Sequence, residues 1–167
     1  MFYKNYTKPF EAHYIDLLAD DMCQADIDEV FASNGVSPKD AVTYSVLNSD
    51  RLVCYFDGDQ LLAIGGVGIN PNGSGSPWLL STNYLSTWKR KNLRTFLECS
   101  KSWIEEMNDI YPLLENYVDK RNKESQTWLK HLGFYFPKTI PDYGYLKIPF
   151  IKFVKYNDLG LWTHLPQ

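Results

Sequence analysis

The stretch WLLSTNYLSTWKRKNLRTFLECSKSWIEEM, residues Trp78–Met107, decides the fold predicted for this chain. Its pattern predicts a short apolar strand, Trp78–Thr82, then a polar turn and a long amphipathic helix beginning at residue 86 or 87. The first turns of this helix are basic, with the run Lys89–Lys91 and then Arg94. A cation at a helix N-terminus costs about 0.3–1 kcal/mol, because that end carries partial positive charge. We therefore expect either an anion bound there or a solvated end paired with acidic neighbours.

Length and composition indicate one folded domain. The chain has 167 residues, of which 44% are hydrophobic and 16% aromatic, enough for a single core rich in aromatic rings. We assign residues 1–167 to one domain, with residues 1–11 as an extended arm and residues 157–167 as a C-terminal tail. The net charge of −3 argues against a general nucleic-acid binder, which usually carries a basic excess.

The cysteines, histidines and apolar runs exclude several classes of protein. The three cysteines are far apart, no CxxC pair occurs, and the three histidines are scattered, so no zinc site is predicted. The N-terminus lacks the apolar segment of a signal peptide. The nearly apolar run Leu61–Ile69 is too short to span a bilayer. We expect a cytoplasmic protein with reduced thiols and no membrane contact.

The remaining elements alternate between strands and helices. The clearest is a hairpin, in which Arg51–Phe56 and Leu61–Gly68 flank the Asp-Gly turn Asp57–Gln60. The other predicted strands are His13–Leu18, Leu114–Val118, Phe134–Phe136 and Tyr145–Tyr156. The other predicted helices run from about residue 20 to 33, from Ser37 to about Asn48, and from Asn122 to Leu132. This order predicts a mixed α/β (α+β) sheet.

One motif near the C-terminus resembles a known family. The segment Asn122–Phe134, NKESQTWLKHLGF, is similar to the N-x-x-A/S-(x)6-L-G-F element of the GCN5-related N-acetyltransferase (GNAT) superfamily. The order of elements over roughly residues 12–155 resembles that fold as well. The resemblance implies a central mixed sheet of about six to seven strands flanked by about four helices.

Within that superfamily, the chain resembles the internal virion protein A group of short-tailed phages, small acetyltransferase-like proteins of late gene clusters. This resemblance implies a phage late protein, in the infected host cell or associated with the virion. The segments that carry it are Leu62–Gly66, Trp78 with Ser81 and Thr82, Lys89–Lys91 with Phe96, Asn116–Val118 and Asn122–Gly133.

The resemblance also implies a cofactor site for acetyl-CoA. The family holds the pyrophosphate with a glycine-rich turn after the fourth strand, but Thr82–Arg94 contains no glycine, so the contacts would shift to basic side chains. The strands carrying Ser81 and Asn116 would splay to admit the pantetheine arm. The implied cofactor-binding residues are Leu80, Ser81, Thr82, Lys89, Arg90, Lys91, Arg94, Asn122 and Trp128.

Acetyl transfer needs a base for the amine and often a tyrosine acid for the thiolate. The family commonly places that tyrosine one position after Trp128, where this chain has Leu129. The candidate catalytic residues are therefore Glu115, Tyr117 and Tyr84, with Asp119 and His131 as further candidates that spacing does not separate.

Three functions follow from these patterns. The first is an acetyl-CoA-dependent N-acetyltransferase acting on an amine or protein acceptor. The second is a catalytically degenerate GNAT-fold protein that acts with other phage or host proteins in virion morphogenesis or host interaction. The third and weakest is a nucleic-acid binder using Lys89–Arg94, against which the acidic net charge counts.

Overall fold

The computed structural model describes residues 2–6, 10–88 and 90–157, which form a seven-stranded sheet covered by helices on both faces. The strands are β1 (Phe2–Tyr6), β2 (Ser49–Asp57), β3 (Gln60–Ile69), β4 (Gly75–Ser81), β5 (Leu113–Asp119), β6 (Tyr135–Tyr143) and β7 (Ile148–Tyr156). The helices are α1 (His13–Asp20), α2 (Gln24–Asn34), α3 (Pro38–Leu47), α4 (Asn83–Ser86), α5 (Arg90–Ile110) and α6 (Lys123–His131).

The sheet is divided between β4 and β5. The strand order is β1-β2-β3-β4-β5-β7-β6, and β4 and β5 are parallel whereas the other neighbours are antiparallel. Within the described residues, one backbone pair, Gly75 with Leu114, joins β4 to β5. The Asn116 side chain adds a hydrogen bond from Nδ2 to the Pro77 carbonyl oxygen at 3.0 Å. Beyond that bond, the described parts of β4 and β5 share no backbone pairing toward their carboxyl ends, and we call this unpaired region the slot.

Two hydrophobic clusters stabilise the sheet from opposite faces. Alternate residues of a strand face opposite sides, so Val53 and Tyr55 of β2 lie in one cluster and Leu52 and Cys54 in the other. The first cluster is built with α5 and α6, and Phe96 of α5 is fully buried in it. The second cluster is built with α1, α2 and α3. The slot therefore has helices on both sides.

Local signals in the sequence set several boundaries as predicted. Ser37 caps α3 by accepting a hydrogen bond from the Asp40 backbone N–H. Gly35 ends α2 with a φ of 69°, a left-handed conformation that glycine adopts without strain. Gly58, with a φ of 56°, lies in the tight turn between β2 and β3. These observations confirm the predicted hairpin and the helices predicted at about residues 20–33 and 37–48, which are α2 and α3, although α2 begins only at Gln24.

Helix α5 follows the predicted amphipathic pattern with one exception. Phe96, Ile104 and Met107 are buried on one face of the helix, whereas Leu93, at the same 3/4 spacing, is 36% exposed. On the opposite face Arg94 pairs with Glu98 at 3.1 Å, as the i,i+4 spacing predicts. In the described part of the chain, no helix is both long enough and apolar enough to cross a membrane.

The fold class predicted from the sequence is confirmed, with corrections to individual elements. The segment His13–Leu18 is helical, because Tyr14, Ile15 and Leu18 recur at helical spacing and pack into the second cluster. The N-terminal arm contains β1, which pairs with β2. The described residues form six helices where about four were predicted, since α1 was taken for a strand and α4 for a turn. Most of the predicted tail, residues 158–167, lies outside the described residues.

Candidate functional site

The slot between β4 and β5 is entered by the N-terminal half of α2. Thr82 donates its backbone N–H to the Leu62 carbonyl of β3, so the preceding N–H, that of Ser81, points to the opposite edge of β4. That N–H donates to Asp26 Oδ2 at 2.7 Å, and the Ser81 hydroxyl donates to the same oxygen at 2.9 Å. The Cys23 backbone N–H donates to the Ser81 carbonyl at 2.9 Å. Helix α2 therefore occupies the edge of β4 that β5 leaves open.

The opposite wall of the slot is bound by a second carboxyl group of the same helix. Asn122 lies just after β5 and caps α6 by accepting a hydrogen bond from the Ser125 N–H at 3.1 Å. Its Nδ2 donates to Glu29 Oε2 at 3.0 Å. Asp26 and Glu29 are three residues apart on one face of α2, so one helix contacts both walls.

Burial dominates the electrostatics of these two carboxyl groups. It raises the pKa of Glu29 to about 7, although the hydrogen bond from Asn122 opposes the shift. Burial also raises the pKa of Asp26, against the hydrogen bonds from Ser81. The pKa of Glu29 is thus raised toward neutral pH, which is the range that suits a general base.

The Cys23 thiol lies beside the same contacts but is not activated. Its Sγ is 3.4 Å from the Ser81 hydroxyl oxygen. Burial and the nearby Asp26 carboxylate raise the pKa of Cys23 to about 11. A thiol in that state is a poor nucleophile at neutral pH, because the thiolate is the reactive form. The described residues contain no cluster of histidine, cysteine and carboxylate side chains that could hold a metal ion.

The junction between β4 and α5 uses its backbone donors within the chain. The Asn83 N–H donates to the Asp21 carbonyl at 2.7 Å, and the Tyr84 N–H points at the Asp21 carboxylate at 3.4 Å. Further along, the N–H groups of Leu85, Thr87 and Trp88 donate to the carbonyls of Thr82, Tyr84 and Leu85, respectively. Leu85 is also buried in the first cluster. Helix α4 thus replaces part of the polar turn predicted here.

The predicted cofactor-binding residues do not converge on one site. Leu80 is buried in the second cluster, and Thr82 is buried with its hydroxyl on the carbonyl of Leu62 at 3.0 Å. Trp128 of α6 packs edge-on against Phe96 at 4.5 Å between ring centres. Ser81 and Asn122 do face the slot, where α2 binds both.

The predicted basic residues lie at or near the start of α5. Arg94 is exposed and paired with Glu98. Arg90 and Lys91 lie in the first turn of α5, and nothing further is described of their side chains. Lys89 lies outside the described residues. Their role in cofactor binding stays a prediction.

The three predicted catalytic residues lie in separate environments. Tyr84 donates its hydroxyl to Asp57 at 3.3 Å, beside the β2–β3 turn. Tyr117 of β5 packs against Tyr143 of β6, with 4.7 Å between ring centres. Glu115 forms an ion pair with Lys152 and accepts hydrogen bonds at 2.8 Å from the side chains of Asn72 and Ser74. The structure does not bring these groups together, and their catalytic roles stay predictions.

Sequence reasoning missed Asp26 and Glu29, the residues that define the slot. Both lie in α2, whose residues Ile27 and Val30 pack into the second cluster. The signal that could have identified them is their spacing, because Asp26 and Val30 are four residues apart and therefore share a helix face. A carboxylate on a buried helix face requires hydrogen-bond partners, which here are supplied by β4 and by Asn122.

Comparison with known proteins connects this architecture to two groups. Residues 52–140 match the family model described as "Bacteriophage T7, probable scaffold protein Gp13". Among curated proteins, no sequence matches.

Several solved structures that match are acetyltransferases of low sequence identity. A GNAT-family acetyltransferase from Streptococcus pneumoniae superposes with a TM-score of 0.58 at 13% identity, covering 93% of this chain and 100% of the other. Ribosomal-protein-alanine N-acetyltransferase from Brucella melitensis gives 0.67 at 13% identity, covering 94% and 100%. An acetyltransferase from Bacillus subtilis in complex with CoA gives 0.61 at 10% identity, covering 93% and 97%. These likenesses show a GNAT fold.

Proposed function

The chain belongs to the family described as bacteriophage T7 probable scaffold protein Gp13, and from this membership we propose that it is a phage GNAT-fold protein acting in virion morphogenesis or host interaction. In this proposal the fold serves as a rigid body that binds other phage or host proteins, and acetyl transfer is not its task. The resemblance to the internal virion protein A group, carried by the segments around Trp78, Asn116 and Asn122, supports a late protein that associates with the virion.

The observation that carries this proposal is the hydrogen bonding of the backbone N–H groups between β4 and α5. A pyrophosphate site made of backbone amides needs several neighbouring N–H groups that point outward without internal partners. In this chain the N–H groups of Asn83, Leu85 and Thr87 are already bonded to carbonyl oxygens. The described backbone donors of this junction therefore do not form an amide cradle for the pyrophosphate of acetyl-CoA.

An acidic side chain at the same place strengthens that conclusion. The Asp21 carboxylate lies within 3.4 Å of both the Tyr84 backbone N–H and the Asn83 side-chain amide. A carboxylate beside these donors would repel a phosphate group. The guanidinium of Arg94 is itself paired with Glu98.

A phage genetic experiment tests the proposed role. A phage whose copy of this gene carries an early stop codon is expected to yield fewer infectious particles, and the chain supplied from a plasmid should restore the yield. Mass spectrometry of purified virions is expected to detect the protein. A normal yield without the protein, together with virions that lack it, would overturn the proposal.

Glu29 favours a second candidate, an acetyl-CoA-dependent N-acetyltransferase of an amine or protein acceptor. Its pKa of about 7 suits a group that accepts a proton from an ammonium acceptor, and it lies in the slot of a fold shared with a CoA-bound acetyltransferase. This candidate requires α2 to withdraw from β4. Incubation with acetyl-CoA and a panel of amines and peptides tests it. Acetylated product that is lost in Glu29→Gln would favour it over the assembly role.

A further inference from the structure

We infer that α2 occupies the place of the acyl-CoA cofactor in this fold and ties together the two halves of the divided sheet. The inference concerns the architecture of the slot and does not depend on the proposed role in virion morphogenesis.

The division of the sheet leaves backbone groups at the edge of β4 without partners on β5. Beyond the backbone pair of Gly75 with Leu114 and the Asn116 side chain, the described parts of β4 and β5 share no backbone register. The edge of β4 thus presents the N–H and C=O of Ser81 to the slot. Buried backbone groups without partners are costly, so this edge must be satisfied by a ligand, by water or by the protein itself.

Helix α2 supplies the partners on both sides of the slot. On the β4 side, Asp26 accepts from Ser81 and the Cys23 N–H donates to the Ser81 carbonyl, so both backbone groups are satisfied. On the β5 side, Glu29 accepts from Asn122, the residue that the family resemblance assigned to the pantetheine arm. The N-cap residue and the first two turns of α2 therefore satisfy groups on both sides of the slot, the groups that we infer a bound pantetheine would otherwise contact.

The far end of α2 is fixed as well. The Tyr145 and Leu146 N–H groups, in the turn between β6 and β7, donate to the carbonyls of Ser33 and Ala32 at 2.9 and 3.0 Å. A Cβ on Gly144 would lie 2.7 Å from Ser33 Cα, which shows how closely this turn approaches the helix. Hydrogen bonds therefore fix α2 to β4 at one end and to the β6–β7 turn at the other, so the helix joins the two halves of the sheet.

Hydrogen exchange of single amides tests the inference. In the wild-type chain we expect the Ser81 amide to be protected. In Asp26→Ala it should exchange about tenfold faster or more, because its only acceptor in the described residues is removed. The Thr82 amide, bonded to Leu62, is the internal control and should keep its protection. Asp26→Asn retains an acceptor oxygen and should behave as wild type.

Added coenzyme A tests whether α2 stays in the slot or is displaced by the cofactor. This measurement uses the wild-type chain, so it can be made even if Asp26→Ala does not fold. With about 1 mM coenzyme A, enough to load a site of millimolar affinity, the wild-type exchange rates of Ser81 and of residues 116–122 should not change. The inference is overturned if the free Ser81 amide exchanges without protection, or if coenzyme A slows exchange at Ser81 and Asn122 together. Neither outcome measures virion assembly, so this test and that of the proposed function fail independently.

Discussion

The carboxylate of Asp26 accepts two hydrogen bonds from Ser81, one from the backbone N–H at 2.7 Å and one from the hydroxyl at 2.9 Å. Asp26 belongs to α2 and Ser81 ends β4, so the contact joins a helix to the strand edge at which the GNAT sheet divides. Asp26 as a whole is only 7% exposed, and the hydrogen bonds to its carboxylate offset much of the cost of burying that group.

Truncation of Asp26 should destabilise the fold substantially. Asp26→Ala removes both hydrogen bonds and leaves the Ser81 N–H without its acceptor, so we expect a loss of about 2–4 kcal/mol in the free energy of unfolding. Urea denaturation followed by far-UV circular dichroism measures it. Asp26→Asn is the matched control and should lose less than half as much. Equal stability of wild type and Asp26→Ala would contradict the assigned contact.

Glu29 should make stability depend on pH in the opposite direction to an ion-paired carboxylate. Its pKa is raised from 4.5 to about 7, so the folded state binds the proton more tightly than the unfolded state does. The stability that this proton provides is complete below about pH 4.5 and is lost as pH rises through about 7. Glu29→Gln should therefore match wild type near pH 4 and exceed its stability at pH 8 by up to about 3 kcal/mol.

Thermal or urea denaturation of both proteins across this pH range measures the difference. A difference between wild type and Glu29→Gln that stays constant from pH 4 to pH 8 would show that the Glu29 carboxyl is not buried as described.

Glu115 should show the reverse pH dependence. Burial acts to raise its pKa, but hydrogen bonds from Lys152, Asn72 and Ser74 outweigh burial and lower the pKa below 4.5. The stability that its charge provides is thus present above about pH 4.5 and is lost as pH falls through the folded-state pKa. Glu115→Gln should cost about 1–2 kcal/mol at pH 7 and progressively less in acid. Denaturation at pH 7 and pH 3 measures it, and a cost that grows in acid would contradict the network.

Gly66 should tolerate no side chain. A Cβ there would lie 2.8 Å from the Arg51 carbonyl oxygen and from Trp78 Nε1, which donates to the Ser49 hydroxyl at 2.8 Å. Gly66→Ala should cost about 1–3 kcal/mol through overpacking, and the altered packing of Trp78 should change the tryptophan fluorescence. Ser49→Ala adds no bulk but removes this hydrogen bond and the one that the Ser49 hydroxyl donates to the Ser45 carbonyl, and it should cost about 1–2 kcal/mol. A fully stable Gly66→Ala would show that β3 is not packed so closely against Arg51 of β2 and Trp78 of β4.

The sequence predicted the fold better than it predicted the site, and the reason is physical. Periodicity, the Asp57–Gln60 turn and the caps at Gly35 and Ser37 are local signals, and each survives in the structure. The segment His13–Leu18 failed as a strand because only contact with the second cluster selects helical over extended spacing in so short a run. Local pattern therefore determines most elements but not every short one.

The site depends on contacts between residues distant in sequence. Asp26 and Ser81 are 55 residues apart, and Glu29 and Asn122 are 93 residues apart, so no spacing along the chain indicates either pair. The missing glycines after Thr82 did indicate that the cofactor turn is altered. That α4 and Asp21 take up the backbone donors there could be seen only once the helices were placed against β4.

The binding of acetyl-CoA to the wild-type chain tests most directly whether the cofactor slot is closed. Isothermal titration calorimetry at ligand concentrations up to about 1 mM would detect any site of millimolar affinity or better, and the CoA-binding acetyltransferase from Bacillus subtilis serves as the positive control. We predict no heat of binding and no rise in melting temperature for this chain. Saturable one-to-one binding in the micromolar range, lost on substitution of Asn122 or Ser81, would contradict the account.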